Sequence, residues 1–387
     1  MKKSSNAFVI AILLIPFFDP SILTQEGMPM WIDWVIKAFQ IIGILVSFFL
    51  IRPVLAHHKH EITHAIPVIV LFTWLLLITG LKGYDILKPL LFILQVFAVC
   101  TICAYYIFCK NDLKTLSKVL SSYYGVLMVL DIITLLLFPQ NQLFWIFGAK
   151  NNHIHHVLLY SFFSIMRIMS YDRLSFKHLI IPLSLSLTDL ILEQSTTAIL
   201  AYAISLLGIF FCYLFYNHKR NKSIVKPKVF FLVTLIISGL IVVFEQFNAL
   251  ELVVAYFDKE DTFGRIGIWE NAMYYIRQSP YVGNGFEPMK IINVKFDFEF
   301  TQCHNKYVDI LYMGGAIGLI LFVLAIFIQL SKAKVSFGQQ LLALVLCAYS
   351  IEFITEGQRL NLILYLMLFL YPIISNLYES GKRCSLM

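Results

Sequence analysis

Charge is what this sequence has least of. Only 14 % of its 387 residues are Asp, Glu, Lys or Arg, well below the share in a soluble domain, and little is left over for a separate soluble domain. Cysteine is too thinly spread for a disulfide framework. Cys100, Cys103, Cys109, Cys212 and Cys347 lie in or beside apolar runs, Cys384 is near the C-terminus, and only Cys303 falls in a long polar loop. Cys100 and Cys103 spell CxxC, but inside an apolar run they read as packing rather than as a redox or metal site. No repeat relates the two halves. No small-x-small cleavage site follows the first apolar run, where Pro16, Asp19 and Pro20 stand instead, so that run reads as a span and not as a removable leader.

What is present is apolar. Hydrophobic residues make up 59 % of the chain and the mean hydropathy is +0.78, which describes an integral membrane protein. Apolar stretches fall near 6–24, 32–51, 65–81, 86–108, 118–138, 154–171, 177–193, 197–216, 229–248, 307–330, 340–355 and 361–378. The expected fold is all-α, about 12 transmembrane helices in one polytopic domain over 1–387, with one long extracytoplasmic loop at 249–306. The stretch at 177–193 is short and carries Asp189 and Glu193.

Basic residues test the topology, because short cytoplasmic loops retain Lys and Arg. With both termini cytoplasmic, the inner segments hold Lys2, Lys3, Arg52, Lys59, Lys110, Lys114, Lys118, Arg173, Lys177, the cluster NHKRNKSIVKPK (217–228), Lys332, Lys334, Lys382 and Arg383. The short outer loops hold only Lys82, Lys150 and Arg359. The net charge of +7 then follows from topology, and no nucleic-acid partner is needed to explain it.

The segment HHKHEITH (57–64) contains His60-Glu61-Ile62-Thr63-His64, the spelling of a zinc-protease helix. It sits in a short cytoplasmic connection ahead of Pro67, with no third ligand on the same side, so a solvated loop is the favoured reading and a membrane zinc protease the remote one. The long loop says more. Asp261 or Thr262 can cap a helix in which Ile266, Trp269, Met273 and Ile276 recur at helical spacing, with Arg265 and Trp269 on one face and Ser279-Pro280 at its end. This amphipathic helix suits the outer leaflet or a roof over the spans. Gly283 and Gly285 around Asn284 form a turn that either reverses the chain or offers its amides to a phosphate. KFDFEF (295–300) alternates apolar and acidic residues, a weak signal for a strand or a mobile loop. His304, Asn305 and Lys306 then precede a span whose Gly314, Gly315 and Gly318 predict close packing on a neighbour. A histidine held at that wet boundary can take a proton from a hydroxyl near neutral pH.

In the same topology Lys37, Lys88, Asp131, Asp189, Glu245 and Glu352 all fall in the outer halves of their spans, with only Arg167 toward the cytoplasmic end. Charges in a membrane face a cavity or a partner, so this points to an outward polar chamber. A polysaccharide exporter or flippase would instead place charges through both leaflets, with interrupted helices.

GRIGIWENAMYYIRQSPYVGNGFE followed by HNKYVDILYMGGAIGLILF resembles the characteristic loop and following helix of the O-antigen ligase and polymerase superfamily. FGAKNN (147–152) and EQSTTAIL (193–200) resemble two further elements, and the resemblance covers about 145–325. It implies an inverting, metal-independent glycosyltransferase of the bacterial cytoplasmic membrane with no cofactor, acting on an undecaprenyl-diphosphate-linked oligosaccharide. By that likeness His304 is the base on the acceptor hydroxyl and Arg265 binds the donor diphosphate. Lys150, Asn151, Thr196, Trp269, Gly283, Gly285, Asn305 and Lys306 are the substrate-binding candidates. Thr196 stands where many members carry arginine, which leaves a second phosphate contact to Lys150 or Lys306. The FGAKNN and GNG elements favour a polymerase of O-antigen or capsule repeat units; a ligase acting on lipid A core is the alternative. Membrane lipid, chain-length regulators and flippases are the expected partners.

Overall fold

The computed structural model describes residues 2–24, 28–171, 177–215, 226–245, 262–286, 291–292, 299–300, 302–331, 337–355 and 361–379. The basic cluster at 217–225, Lys332, Lys334, Arg359 and the start of KFDFEF lie outside these residues, as do the side chains of Glu61, Asn151, Glu245 and Arg265. Every apolar stretch falls on a helix. These are α1 (Lys2–Leu14), continued by a 3-10 turn over Ile15–Phe18, α2 (Met30–Ile62), α3 (Ile66–Leu81), α4 (Leu87–Ala104), α5 (Leu113–Leu137), α6 (His153–Met169), α7 (Lys177–Glu193), α8 (Thr196–Phe215), α9 (Pro227–Glu245), α10 (Thr262–Gln278), α11 (Lys306–Ser331), α12 (Phe337–Thr355) and α13 (Leu362–Glu379). Among the described residues, seven helical segments are long and apolar enough to cross a membrane, and three shorter apolar ones accompany them. Helices thus stand at the twelve expected stretches, but seven rather than twelve meet the length and hydropathy of a span among the described residues, and α6 and α7, at 17 residues each, fall short of the roughly 20 that a straight span needs.

Position in the bundle follows composition. Nearly every residue of α6 and α12 is buried, including polar ones such as His153, His155, Gln339 and Glu352, and these two pack against each other with α8 and α9 against α12 and α5 and α7 against α6. By contrast α2 turns Trp31, Trp34, Phe39, Ile41 and Phe49 outward, a lipid-type surface that opens with two tryptophans, as interfacial anchors do. Lys37 and Lys88 are exposed on helix surfaces, with Lys37 paired to Asp33 at 2.5 Å. This corrects the expectation that they face a chamber: a long amphipathic stem near a helix end lets an ammonium reach water without a cavity.

The most consequential departure lies in α11. It contacts α3 where expected: Trp74 Nε1 donates to Gly314 O at 3.0 Å, and a Cβ on Gly314 would come within 2.8 Å of Leu75. Yet Gly315 takes φ 62° and ψ −165°, which breaks the helix about 14 Å from its start. The turn after α10 repairs the break. Asn284 and Gly285 donate their amides to Tyr312 O and Met313 O, both at 2.8 Å, while Ala316 and Ile317 donate to Pro280 O and Tyr281 O at 2.8 and 3.2 Å. Backbone groups freed inside a membrane must find protein partners, and here four of them do.

KFDFEF contributes β2 (Glu299–Phe300), paired antiparallel with β1 (Ile291–Ile292). The zinc-protease spelling does not assemble. The helix kinks at His58, His60 is exposed, and buried His64 places Nε2 3.1 Å from Phe369 O.

Candidate active site

Asn305 builds the start of α11. Its Oδ1 accepts the amides of Tyr307 and Val308, both at 3.1 Å, capping the helix as short polar side chains do. Its Nδ2 donates to Ser238 Oγ at 2.7 Å and Ile354 O at 3.0 Å. One fully buried amide thus joins α11 to α9 and α12. Just before it, half-buried His304 adopts φ +47°, a left-handed conformation uncommon outside glycine. Such conformations persist only where the surroundings over-determine them, and they cluster at functional sites.

Those surroundings are visible on both sides of Cys303. Its amide donates to Asp309 Oδ1 at 3.0 Å, and its carbonyl accepts from Trp269 Nε1 at 2.9 Å. Trp269 is buried with Ile268, Ala272 and Ile276, whereas Tyr274 and Arg277 are exposed. The amphipathic helix therefore lies with its apolar face on the protein, roofing the segment that carries His304. Lys306 is 1 % exposed and within electrostatic reach of His155.

A second polar group occupies the neighbouring helix ends. His153 Nδ1 lies 3.0 Å from Asp131 Oδ2 and 3.0 Å from Asp189 Oδ1, and its Nε2 lies 3.3 Å from Gly148 O. Both ring nitrogens thus face only acceptors, and an imidazolium answers both, setting one positive charge between two carboxylates. All three side chains are fully buried, and their ligand atoms lie within 4.8 Å of one another, close enough for one cation. With the carboxylates already engaging the ring, the trio serves as a three-helix clamp between α5, α6 and α7. Glu193 Oε2 accepts the Ser195 amide at 3.3 Å, and half-buried Lys150 lies within electrostatic reach of that carboxylate. Thr196 opens α8 and is exposed. The His155 ring packs on Tyr349 at 5.3 Å, which links this group toward Glu352 and Lys306.

The anticipated residues therefore divide into three places. His304, Asn305, Lys306 and Trp269 meet at the start of α11. Lys150 and Thr196 stand beside the buried trio. Gly283 and Gly285 are at the Gly315 break, where the turn's amides are already engaged: Gly283 N donates to Ser279 O at 3.0 Å and Phe286 N to Thr79 Oγ1 at 2.9 Å. Chain reversal is the role this geometry gives them. Asn151 and Arg265 have no described side chain. Sequence reasoning missed His153, His155, His156 and Asp309, although three histidines opening one apolar run (NNHIHHVLL) were a usable signal.

Residues 181–323 match the family model described as O-antigen ligase. The match agrees with the resemblance carried by the loop and His-Asn motifs, and it sets this membrane protein beside the O-antigen ligase and polymerase superfamily. It takes in Thr196, Arg265, Trp269, the Gly283–Gly285 turn and the His304–Lys306 segment, and begins after Lys150 and Asn151. No curated protein and no solved structure matches the chain. Within the matched segment lie both halves of the roofed site, α10 and the start of α11.

Proposed function

We propose that this protein polymerises undecaprenyl-diphosphate-linked oligosaccharide repeat units at the outer face of the bacterial cytoplasmic membrane, by inverting glycosyl transfer without a metal. The observation that carries the reading is the bond from Trp269 Nε1 to Cys303 O at 2.9 Å. It holds the loop helix of the family-matched segment over the residue preceding His304, so base and roof form one unit.

In the reaction His304 takes the proton of the acceptor sugar's hydroxyl. The oxygen attacks the anomeric carbon opposite the diphosphate, the bond from carbon to phosphate oxygen breaks, and undecaprenyl diphosphate departs with the electron pair. Arg265 neutralises the departing oxygens through its planar fork, with Lys306 and Lys150 adding positive charge. Since the amides of the Gly283–Gly285 turn are engaged, phosphate recognition falls to these side chains. The interrupted α11 does not favour an exporter: its broken backbone is satisfied by a protein turn, and the buried acids Asp131, Asp189 and Glu352 gather at one end of the helices.

The ligase reading stays open because the matched family is described by that activity. Deleting the gene separates the two: loss of the surface-glycan ladder with a single repeat unit still attached supports polymerase, whereas polymer accumulating on the lipid carrier supports ligase. His304→Ala and Arg265→Ala are expected to abolish elongation while the protein still inserts. Normal chain length in either variant removes that residue from the mechanism.

A further inference from the structure

A pocket of about 200 Å³ lies beside this site and outside the mechanism just described. Its polar lining comes from Asp19, Ser21, Tyr124, Asn152, His156 and Asn361, residues drawn from the ends of α1, α6 and α13, their adjoining turns and one turn of α5. Phe18 supplies an aromatic wall, itself braced edge-on against Tyr124 at 5.9 Å.

Two features suit a hydroxyl-rich ring. His156 is stacked on Phe147 at 4.4 Å, and its buried Nδ1 has no hydrogen-bond partner among the described residues; the same is true of the Tyr124 hydroxyl. Leaving buried polar atoms unpaired costs about 1–3 kcal/mol each; both sit just under the pocket wall, whose half-buried edge of Asp19, Ser21, Asn152 and the rest of His156 offers the groups that a sugar hydroxyl, which donates and accepts at once, can meet. The volume is below the roughly 300–1,000 Å³ of a drug-sized site, which limits the occupant to about one ring. A single helix start joins pocket and reaction site: His156 lines the pocket, while its neighbour His155 packs on Tyr349 and lies near Lys306.

We propose that this pocket is a saccharide subsite that seats one sugar ring of the acceptor glycan. The inference rests on the transferase reading above and adds to it where the acceptor, rather than the lipid-linked donor, is held.

The test uses full-length protein in a non-glycoside detergent, with oligosaccharide released by mild acid from the producing strain's lipid carrier as the probe and saturation-transfer NMR as the readout. Wild type should bind. His156→Ala and Asn361→Ala should weaken binding tenfold or more, and Ser21→Trp, which fills the pocket from a half-exposed position, should do the same with the packing intact. His304→Ala should bind like wild type yet fail to elongate. Undiminished binding in Ser21→Trp and in well-folded His156→Ala overturns the subsite and leaves the transferase reading standing. Elongation by His304→Ala removes only that residue from the mechanism, whereas an unchanged surface-glycan ladder in the deletion strain, whatever the pocket binds, overturns the transferase reading instead.

Discussion

Two residues at the helix ends hold more of this site than their position in the chain suggests. Asn305 combines a helix cap with bonds to two other helices, so its substitutions should separate those roles. In Asn305→Ala all are lost, the cap alone being worth about 1 kcal/mol, and glycan elongation should fall at least tenfold as His304 loses its platform. Asn305→Asp keeps an acceptor for the Tyr307 and Val308 amides but sets a carboxylate against Ile354 O, so it should retain more stability than alanine without recovering full activity. Thermal unfolding in nanodiscs beside a chain-length gel reads both. Equal melting temperatures for the two variants would show that the cap contributes nothing. His153 is the second case. Removing its ring leaves Asp131 and Asp189 facing each other without the charge between them, and breaking a buried ionic group in this way costs about 3–5 kcal/mol. His153→Ala should therefore show sharply reduced expression and melting temperature, with Asp189→Asn milder because one carboxylate still pairs with the ring. A His153→Ala protein as stable as wild type would mean that the trio is not a clamp.

At the level of elements, the break in α11 and the turn that fills it form one device. Gly315 occupies a region of backbone space that is essentially reserved for glycine, and an added Cβ would collide with the Tyr281 backbone. Gly283 is equally confined, with φ +84° and the Gly314–Gly315 backbone against it. Gly315→Ala should undock the turn, expose Met313 O and Tyr312 O, and abolish elongation, whereas Gly239→Ala, with nothing within 4 Å of the added carbon, should be neutral or slightly stabilising. Protease sensitivity of the loop after Pro280 distinguishes them, and an intact loop in Gly315→Ala would refute the coupling. The sequence announced this helix and its packing on a neighbour, because apolar length and glycine spacing are local signals. The break was not legible, since Gly314 and Gly315 spell a packing face equally well and the groups that repair it come from Pro280–Gly285. The loop helix was readable from its cap to Ser279-Pro280, because its period and its proline stop need no partner. Which surface it covers was not, because that depends on Trp269 meeting Cys303 across 34 residues.

Among the described residues the buried acids gather at one end, although His64, Gln329, Gln339 and Gln340 are buried toward the other. Asp131, His153, Asp189, Glu193, Asn305, Lys306, Asp309, Glu352 and Asn361 are all buried near the termini of helices that meet there, whereas Arg167, toward the other end, bonds Ser121 Oγ at 3.3 Å. The one-sidedness was legible in the carboxylates once basic loops had set an orientation; the histidines that tie them together were not, since pairs such as His153 and Asp189 join different helices. For a transferase acting on a lipid-linked glycan, the sign of that orientation decides everything, because the polar end must meet the compartment where the glycan is assembled. Exposed residues at both ends allow a direct measurement. Cysteine introduced at Gln140 or Asp85, both exposed on connections at the polar end, should react in intact spheroplasts with a membrane-impermeant maleimide. Cysteine at Lys59 or Lys177, exposed at the other end, should react only after the membrane is opened. Wild-type protein supplies the background from the native thiols. The reverse pattern would put His304 and its roof in the cytoplasm, where no outer-face polymerisation can occur, and the proposed function would fall while the fold and the saccharide pocket remained to be explained by a cytoplasmic substrate.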